Sequence, residues 1–480
     1  MTDKSVAAVA GVGPAPEARL EPDAIGVAQD TVIGMASSAP AASIGLTLAA
    51  LAAATAYASG PVIVLTAIPM LIIANSYRRL NLWNANCGAS FEWVGRAINP
   101  YLGFLTGWLM ITGYVIGAVA GVEVIGPSVL AVFTAGSGGT WTDIWIATGL
   151  SLVMLVIAVA GIKITARTQV TMAAVEYVIL IGFAIAGLVL VLSHHRGTVP
   201  VTSGWFTLTG VGGHGSLAAG LLLAVFIYSG WEGTLYVNEE VRHRRVNPGR
   251  AAVIAVAILT VIYVLAAMGL QGAVSGKRLE AHATSALVYA ATAIGGSNWG
   301  KVMALGLALS VIAATGTNIV LTARITYGMA SYHTLPRLLA SVSPRFRTPV
   351  PASVLTGFLL IALTWVYLLA TSVQGAFDDV VNVSGLLFAA FYILTALATM
   401  AYYRRRALAS VRNALELAVG PLAAAGFLGW IIYRSVQQAP PGQNWSLAGI
   451  IVLGLVLMLV ARFGFRSPFF GIARESEPSR

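Results

Sequence analysis

The chain has 480 residues, of which 58% are hydrophobic and only 10% charged, with a mean hydropathy of +0.82 and a formal net charge of +10. Soluble domains carry about 25% charged residues, so a water-soluble fold of this composition would lack the polar surface to cover itself. The 28 Lys and Arg punctuate the ends of apolar blocks instead of forming a patch, which argues against nucleic acid as a partner, and the single cysteine, Cys87, excludes an internal disulfide.

Residues 1–29 mix Ala, Pro, Gly and both charge signs and lack the basic-then-apolar plan of a cleavable signal, which predicts a disordered cytosolic tail. Beyond it the apolar residues come in blocks of about twenty, the length that crosses about 30 Å of hydrocarbon at 1.5 Å per helical residue. Lipid leaves each backbone group to be satisfied within its own segment, so these blocks read as helices. They fall at 30–56, 60–77, 100–133, 142–161, 170–193, 214–238, 250–273, 299–333, 349–372, 378–403, 413–433 and 445–464. The expectation is an all-α membrane protein of twelve transmembrane helices, with a transporter core over 30–405, two peripheral helices over 406–466 and a cytosolic tail over 467–480.

Twelve spans place both termini on one side. All of the 28 basic residues except Arg196, Lys277, Arg278, Lys301 and Arg434 fall on the side of the termini. The positive-inside rule assigns that side to the cytoplasm of a cell whose inner or plasma membrane holds the chain.

Two spans are interrupted. The first contains Gly34-Met35-Ala36-Ser37-Ser38-Ala39-Pro40, and the sixth contains Ser229-Gly230-Trp231-Glu232-Gly233. Each opens a five-helix half, and matched breaks in two halves point to a transporter with an inverted repeat and a site near the bilayer midplane. Pro40 cannot donate to the carbonyl of Ala36, and Gly34 tolerates unusual dihedrals, so backbone groups are freed there. Small residues Ala36, Ser37, Ser38 and Ala39 let a ligand approach them, although the same composition also suits a packing kink. In the sixth span Phe226, Tyr228, Trp231 and Glu232 gather aromatic surface and an acid around the break. A charge within a span costs about 2.5–3.5 kcal/mol and so suggests function, while an acid bonded to freed amides is the structural alternative.

Two further acids, Glu176 in the fifth span and Glu123 in the third, are candidates for exchanging a proton or holding a cation. The six histidines fall in loops or near helix ends without the pairing of a metal site, so no metal and no bound cofactor is expected.

Several stretches, taken as a set and in order, resemble the amino acid–polyamine–organocation permease superfamily. They are Ala89 to Trp108, then Phe226 to Glu232 with Asn238-Glu239-Glu240 and Pro248, then Arg324, Tyr327, Leu335-Pro336-Arg337 and Arg347-Thr348-Pro349. The resemblance implies a five-plus-five inverted-repeat core with two peripheral helices, and alternating access driven by a proton or sodium gradient or by exchange. It implies that the break at Ala36 to Pro40 binds a substrate carboxylate, that Phe226 gates the site beside Ser229, Gly230, Trp231 and the acidic position Glu232, and that Ile111 and Tyr114 line the pocket. Glu176 falls where some proton-coupled members carry a lysine. Family members often show Gly-Ser-Gly where Ser38-Ala39-Pro40 stands here.

The functional expectation is a secondary transporter of an amino acid or related amine, coupled to protons, with sodium as the alternative ion. A polyamine or organic-amine carrier is the runner-up within transport. A membrane-embedded enzyme is the alternative of a different class, and no cluster of nucleophile, base or metal ligands speaks for it.

Overall fold

A computed structural model describes residues 19–122, 124–133, 138–195, 198–211, 216–274, 278, 281–282, 285–370 and 373–477. Among them there is no strand; the one β-like contact is an isolated bridge between Ile25 and Val241. Among the described residues eleven helices are long and apolar enough to cross a membrane, twelve if the bent pair at the amino-terminal end counts as one span.

The first span is two helices, α1 (Val27–Ser37) and α2 (Pro40–Thr55). Ser38 and Ala39 separate them, and Ala39 takes φ +46°, a left-handed conformation that costs an alanine about 1–2 kcal/mol. Pro40 then occupies the first position of α2, where its missing N–H costs nothing. The chain continues through α3 (Ser59–Trp83), a short helix α4 (Ser90–Ala97), α5 (Pro100–Val122), α6 (Ile125–Phe133), α7 (Thr140–Ala160) and α8 (Ile162–Leu192). The expected third span stands as one candidate span over Pro100–Phe133, and the expected fifth begins earlier, because Gly161 at φ +127° turns the chain directly into α8.

The sixth span ends its α-helix, α9 (Leu217–Tyr228), at the expected break, and resumes as a 3-10 turn over Trp231–Leu235. The second half holds α10 (Asn247–Ala273), α11 (Ala286–Gly295), α12 (Ser297–Ser331), α13 (Val350–Ala370) and α14 (Val373–Tyr402), followed by α15 (Gly420–Gln438) and α16 (Pro441–Leu459).

Burial sorts these helices. The most apolar window of α12 is 83% buried and that of the sixth span 78%, whereas the last span is 11% buried. The interrupted spans and α12 thus form the interior, and the last span presents its apolar side chains outward, as a lipid-facing helix must. Large apolar residues such as Val156, Val178, Phe358 and Trp445 are exposed around the perimeter.

Ion pairs join Lys163 to Glu21, Arg96 to Glu475, Arg406 to Glu477, and Arg79 to Glu416. Chain ends and interhelical segments assigned to one side by their charge are thereby held together at one end of the molecule. The carboxyl-terminal segment is docked there as well: Phe469 stacks on Phe91 at 4.2 Å between centroids, and Ser467 Oγ donates to the Tyr332 carbonyl.

Candidate functional site

The two interruptions touch. Gly230 has φ +112°, open to glycine without strain, and a Cβ placed there would stand 2.7 Å from both the Ser37 carbonyl carbon and the Ser38 nitrogen. One turn below, a Cβ on Gly34 would stand 2.8 Å from the Trp231 carbonyl oxygen. Tyr263 on α10 ties the two breaks together, its hydroxyl lying 2.6 Å from the Ile227 carbonyl and 3.5 Å from that of Ser38.

Beside this contact lies a small cavity. Of the residues singled out in the sequence, Ser37, Ser38, Ala39, Tyr114, Phe226, Ser229 and Gly230 line it. Ala36, Pro40, Ile111, Trp231 and Glu232 do not belong to its wall. The remainder of the wall comes from positions with no prior signal: Ala42, Ser43 and Leu46 on α2, Val311, Ala314, Thr315 and Asn318 on α12, and Phe388 on α14, with small residues of α5. Ser37 Oγ donates to Asn318 Oδ1 at 2.8 Å, joining the first break to α12.

Glu232 stands behind the wall, fully buried, with three donors. Tyr114 Oη lies 2.7 Å from Oε1, while Tyr392 Oη and the Gly230 amide lie 2.6 Å and 3.1 Å from Oε2. A carboxylate so satisfied fixes the break from within, and Tyr114 serves both cavity and carboxylate. Trp231 packs in the same aromatic cluster, stacked on Tyr392 at 5.7 Å and edge-on to Tyr77.

Glu176 on α8 approaches the other break. Its Oε1 accepts from the Ala41 amide at 2.9 Å and from Ser310 Oγ at 2.6 Å, and Ser310 Oγ in turn accepts from the Ala42 amide at 3.2 Å. Oε2 of Glu176 has no partner among the described residues. Glu123 lies outside the described residues. Asp30, on α1 below the break, is fully buried, and neither carboxyl oxygen has a partner among the described residues; it stood at the edge of the expected tail and drew no attention in the sequence.

Away from the cavity, Arg324 near the end of α12 makes a fully buried two-pronged pair with Glu240, at 2.9 and 3.1 Å. Cys87, beside Glu239 in the same region, is buried, and burial pushes its thiol well above the usual range, so it remains a thiol. No group of three or more His, Cys, Asp or Glu that could hold a metal occurs among the described residues.

Apolar membrane-length helices around two touching interruptions and a central cavity define a multi-pass membrane transporter. The chain belongs to the amino acid permease family, whose model matches residues 29–470, and with it to the amino acid–polyamine–organocation superfamily. It is 28% identical over 349 residues to an uncharacterized transporter of Mycobacterium tuberculosis, covering 71% of this chain and 73% of that one. It is also 23% identical to an arginine/ornithine antiporter of Lactococcus lactis, over 61% of this chain and 62% of the relative. Among solved structures, a variant of the manganese transporter of Eremococcus coleocola superposes with a TM-score of 0.60 over 92% of this chain and 95% of that one, at 14% identity. That likeness concerns the fold alone.

Proposed function

We propose that the protein is a secondary active transporter of a small amine-bearing solute, an amino acid or a related amine, working by alternating access in the cell membrane with both termini cytoplasmic. The observation that carries this reading is the cavity shared by the two interrupted spans, with Ser37 and Ser38 on one side and Ser229 and Gly230 on the other. Interrupted helices in contact free polar main-chain groups only where they line a cavity, and the two can separate as rigid pieces on either side of it. Phe226 and Phe388 face the same space and supply aromatic surface that attracts an ammonium or packs on an apolar side chain.

In this reading a proton is the coupling ion and Glu176 carries it. The residue touches the amino-terminal end of α2 directly, so a change in its charge acts on the break that contacts the solute. The one-sided distribution of Lys and Arg supports the cytoplasmic placement of the termini.

The test is purified protein in liposomes, offered radiolabelled amino acids and amines under imposed proton or sodium gradients. Uphill uptake of one class of amine-bearing solute is expected under an inward proton gradient. Accumulation that follows only sodium would reject the proton, and no uptake of any amine-bearing solute would reject the reading.

A further inference from the structure

Three helix ends meet at the cavity, and their hydrogen-bonding groups are unequally used. The amino-terminal end of α2 would attract a carboxylate, since such an end carries about half a positive charge and unpaired N–H groups. Here those groups are already taken. Pro40 has no N–H, Ala41 donates to Glu176, Ala42 donates to Ser310, and Ser43 donates to the Ala39 carbonyl at 2.7 Å. At the second break the Gly230 amide donates to Glu232, and the Ser229 amide to the Phe226 carbonyl at 3.0 Å. The protein's own carboxylates, both fully buried and both outside the wall, occupy the places where a substrate carboxylate would be held.

The other two ends are carboxyl-terminal. Helix α1 closes at Ser37 and α9 at Tyr228, and each such end carries about half a negative charge. Some carbonyls near these ends accept a bond, Ser38 from Ser43 Oγ and Ile227 from Tyr263, but each carbonyl oxygen has a second lone pair. Among the described residues of the wall there is no Lys, Arg, His, Asp or Glu.

We infer that the cavity selects a solute with one ammonium group and no free carboxylate: an alkyl or arylalkyl monoamine, or an amino acid amide or ester. This rests on the amine-transport reading above and narrows it. A carboxylate entering the cavity would lose its water facing two helix carboxyl ends, with hydroxyls and the Asn318 amide as the side-chain donors among the described residues of the wall, and burying a charge so poorly paired is costly. A polyamine would bring a second ammonium with no carboxylate among the described residues of the wall to meet it. A single ammonium finds the partial negative charge of α1 and α9, and its apolar portion finds Phe226, Phe388, Leu46 and Val311.

The experiment uses the full chain in liposomes and matched pairs: phenylalanine with phenethylamine, leucine with isopentylamine, and leucinamide and spermidine as single compounds. Uptake of each radiolabelled pair member is measured, and all compounds are titrated as competitors. The amines and leucinamide are expected to compete at concentrations at least about tenfold below those of the parent amino acids, with spermidine weaker than the monoamines. Parent acids carried as well as or better than their amines overturn the inference and leave the transport reading standing. Spermidine matching the monoamines overturns the single-ammonium claim. No uptake of any member of any pair overturns both the inference and the reading beneath it.

Discussion

The α-carbon of Gly230 is seated so closely on the Ser37 carbonyl that a single added methyl group would come within 2.7 Å of the Ser37 carbonyl carbon. This contact is what makes two interrupted helices into one site. Because φ at Gly230 is +112°, an alanine there suffers both a clash and backbone strain. Gly230→Ala is expected to cut transport by at least about tenfold, from strain of about 1–3 kcal/mol that only a parting of the breaks relieves. Liposome uptake at matched protein content checks this; wild-type rates in the variant would show that the contact is not needed.

Glu232 depends on donors from distant helices, and that dependence is measurable. Removing one hydroxyl by Tyr392→Phe or Tyr114→Phe leaves a buried carboxyl oxygen short of a partner, at a cost of about 1–3 kcal/mol. Both variants should melt earlier than wild type in detergent. Tyr114→Phe should in addition alter solute affinity, because Tyr114 also lines the cavity whereas Tyr392 does not. Equal effects of the two on affinity would contradict this division of roles.

Much of the architecture was legible in the sequence because lipid imposes lengths and composition that simple patterns reveal. The break at Ser38-Ala39-Pro40 announced itself through proline, and that at Gly230 through glycine beside an acid in an apolar run. The short helix α4 was not visible, since an eight-residue segment is too short to register as a span. Asn318, Thr315 and Phe388 passed unnoticed because a polar or aromatic residue inside a long helix looks the same whether it packs or lines a cavity. Only the fold brings α12 and α14 to the breaks. Trp231 and Glu232 drew attention for their chemistry, yet the 3-10 turn that follows Gly230 sets them behind the wall, where Tyr114 and Tyr392 meet the acid. No sequence spacing encodes partners 118 and 160 residues away.

The pair of Arg324 and Glu240 is fully buried, so losing one partner strands the other. Arg324→Ala alone should cost about 3–5 kcal/mol, while Arg324→Met combined with Glu240→Leu should recover most of that loss. Thermal melting of the three proteins decides the matter, and a double variant as unstable as the single one would show that the charges themselves are needed.

Glu176→Gln keeps an acceptor for the Ala41 amide and removes the charge. Gradient-driven accumulation should disappear while solute binding and solute-for-solute exchange persist. Unchanged uphill uptake would refute the coupling role of Glu176.

Solute protection of a thiol placed in the wall tests the central claim most directly. In a Cys87→Ser background, a single cysteine introduced by Ala314→Cys faces the cavity, and one introduced by Leu408→Cys lies exposed on the segment between the spans. Labelling of the first by a small water-soluble thiol reagent should be slowed by the transported solute in proportion to its occupancy, with the second unaffected. Labelling at position 314 that ignores a solute the protein demonstrably carries would place the binding site elsewhere.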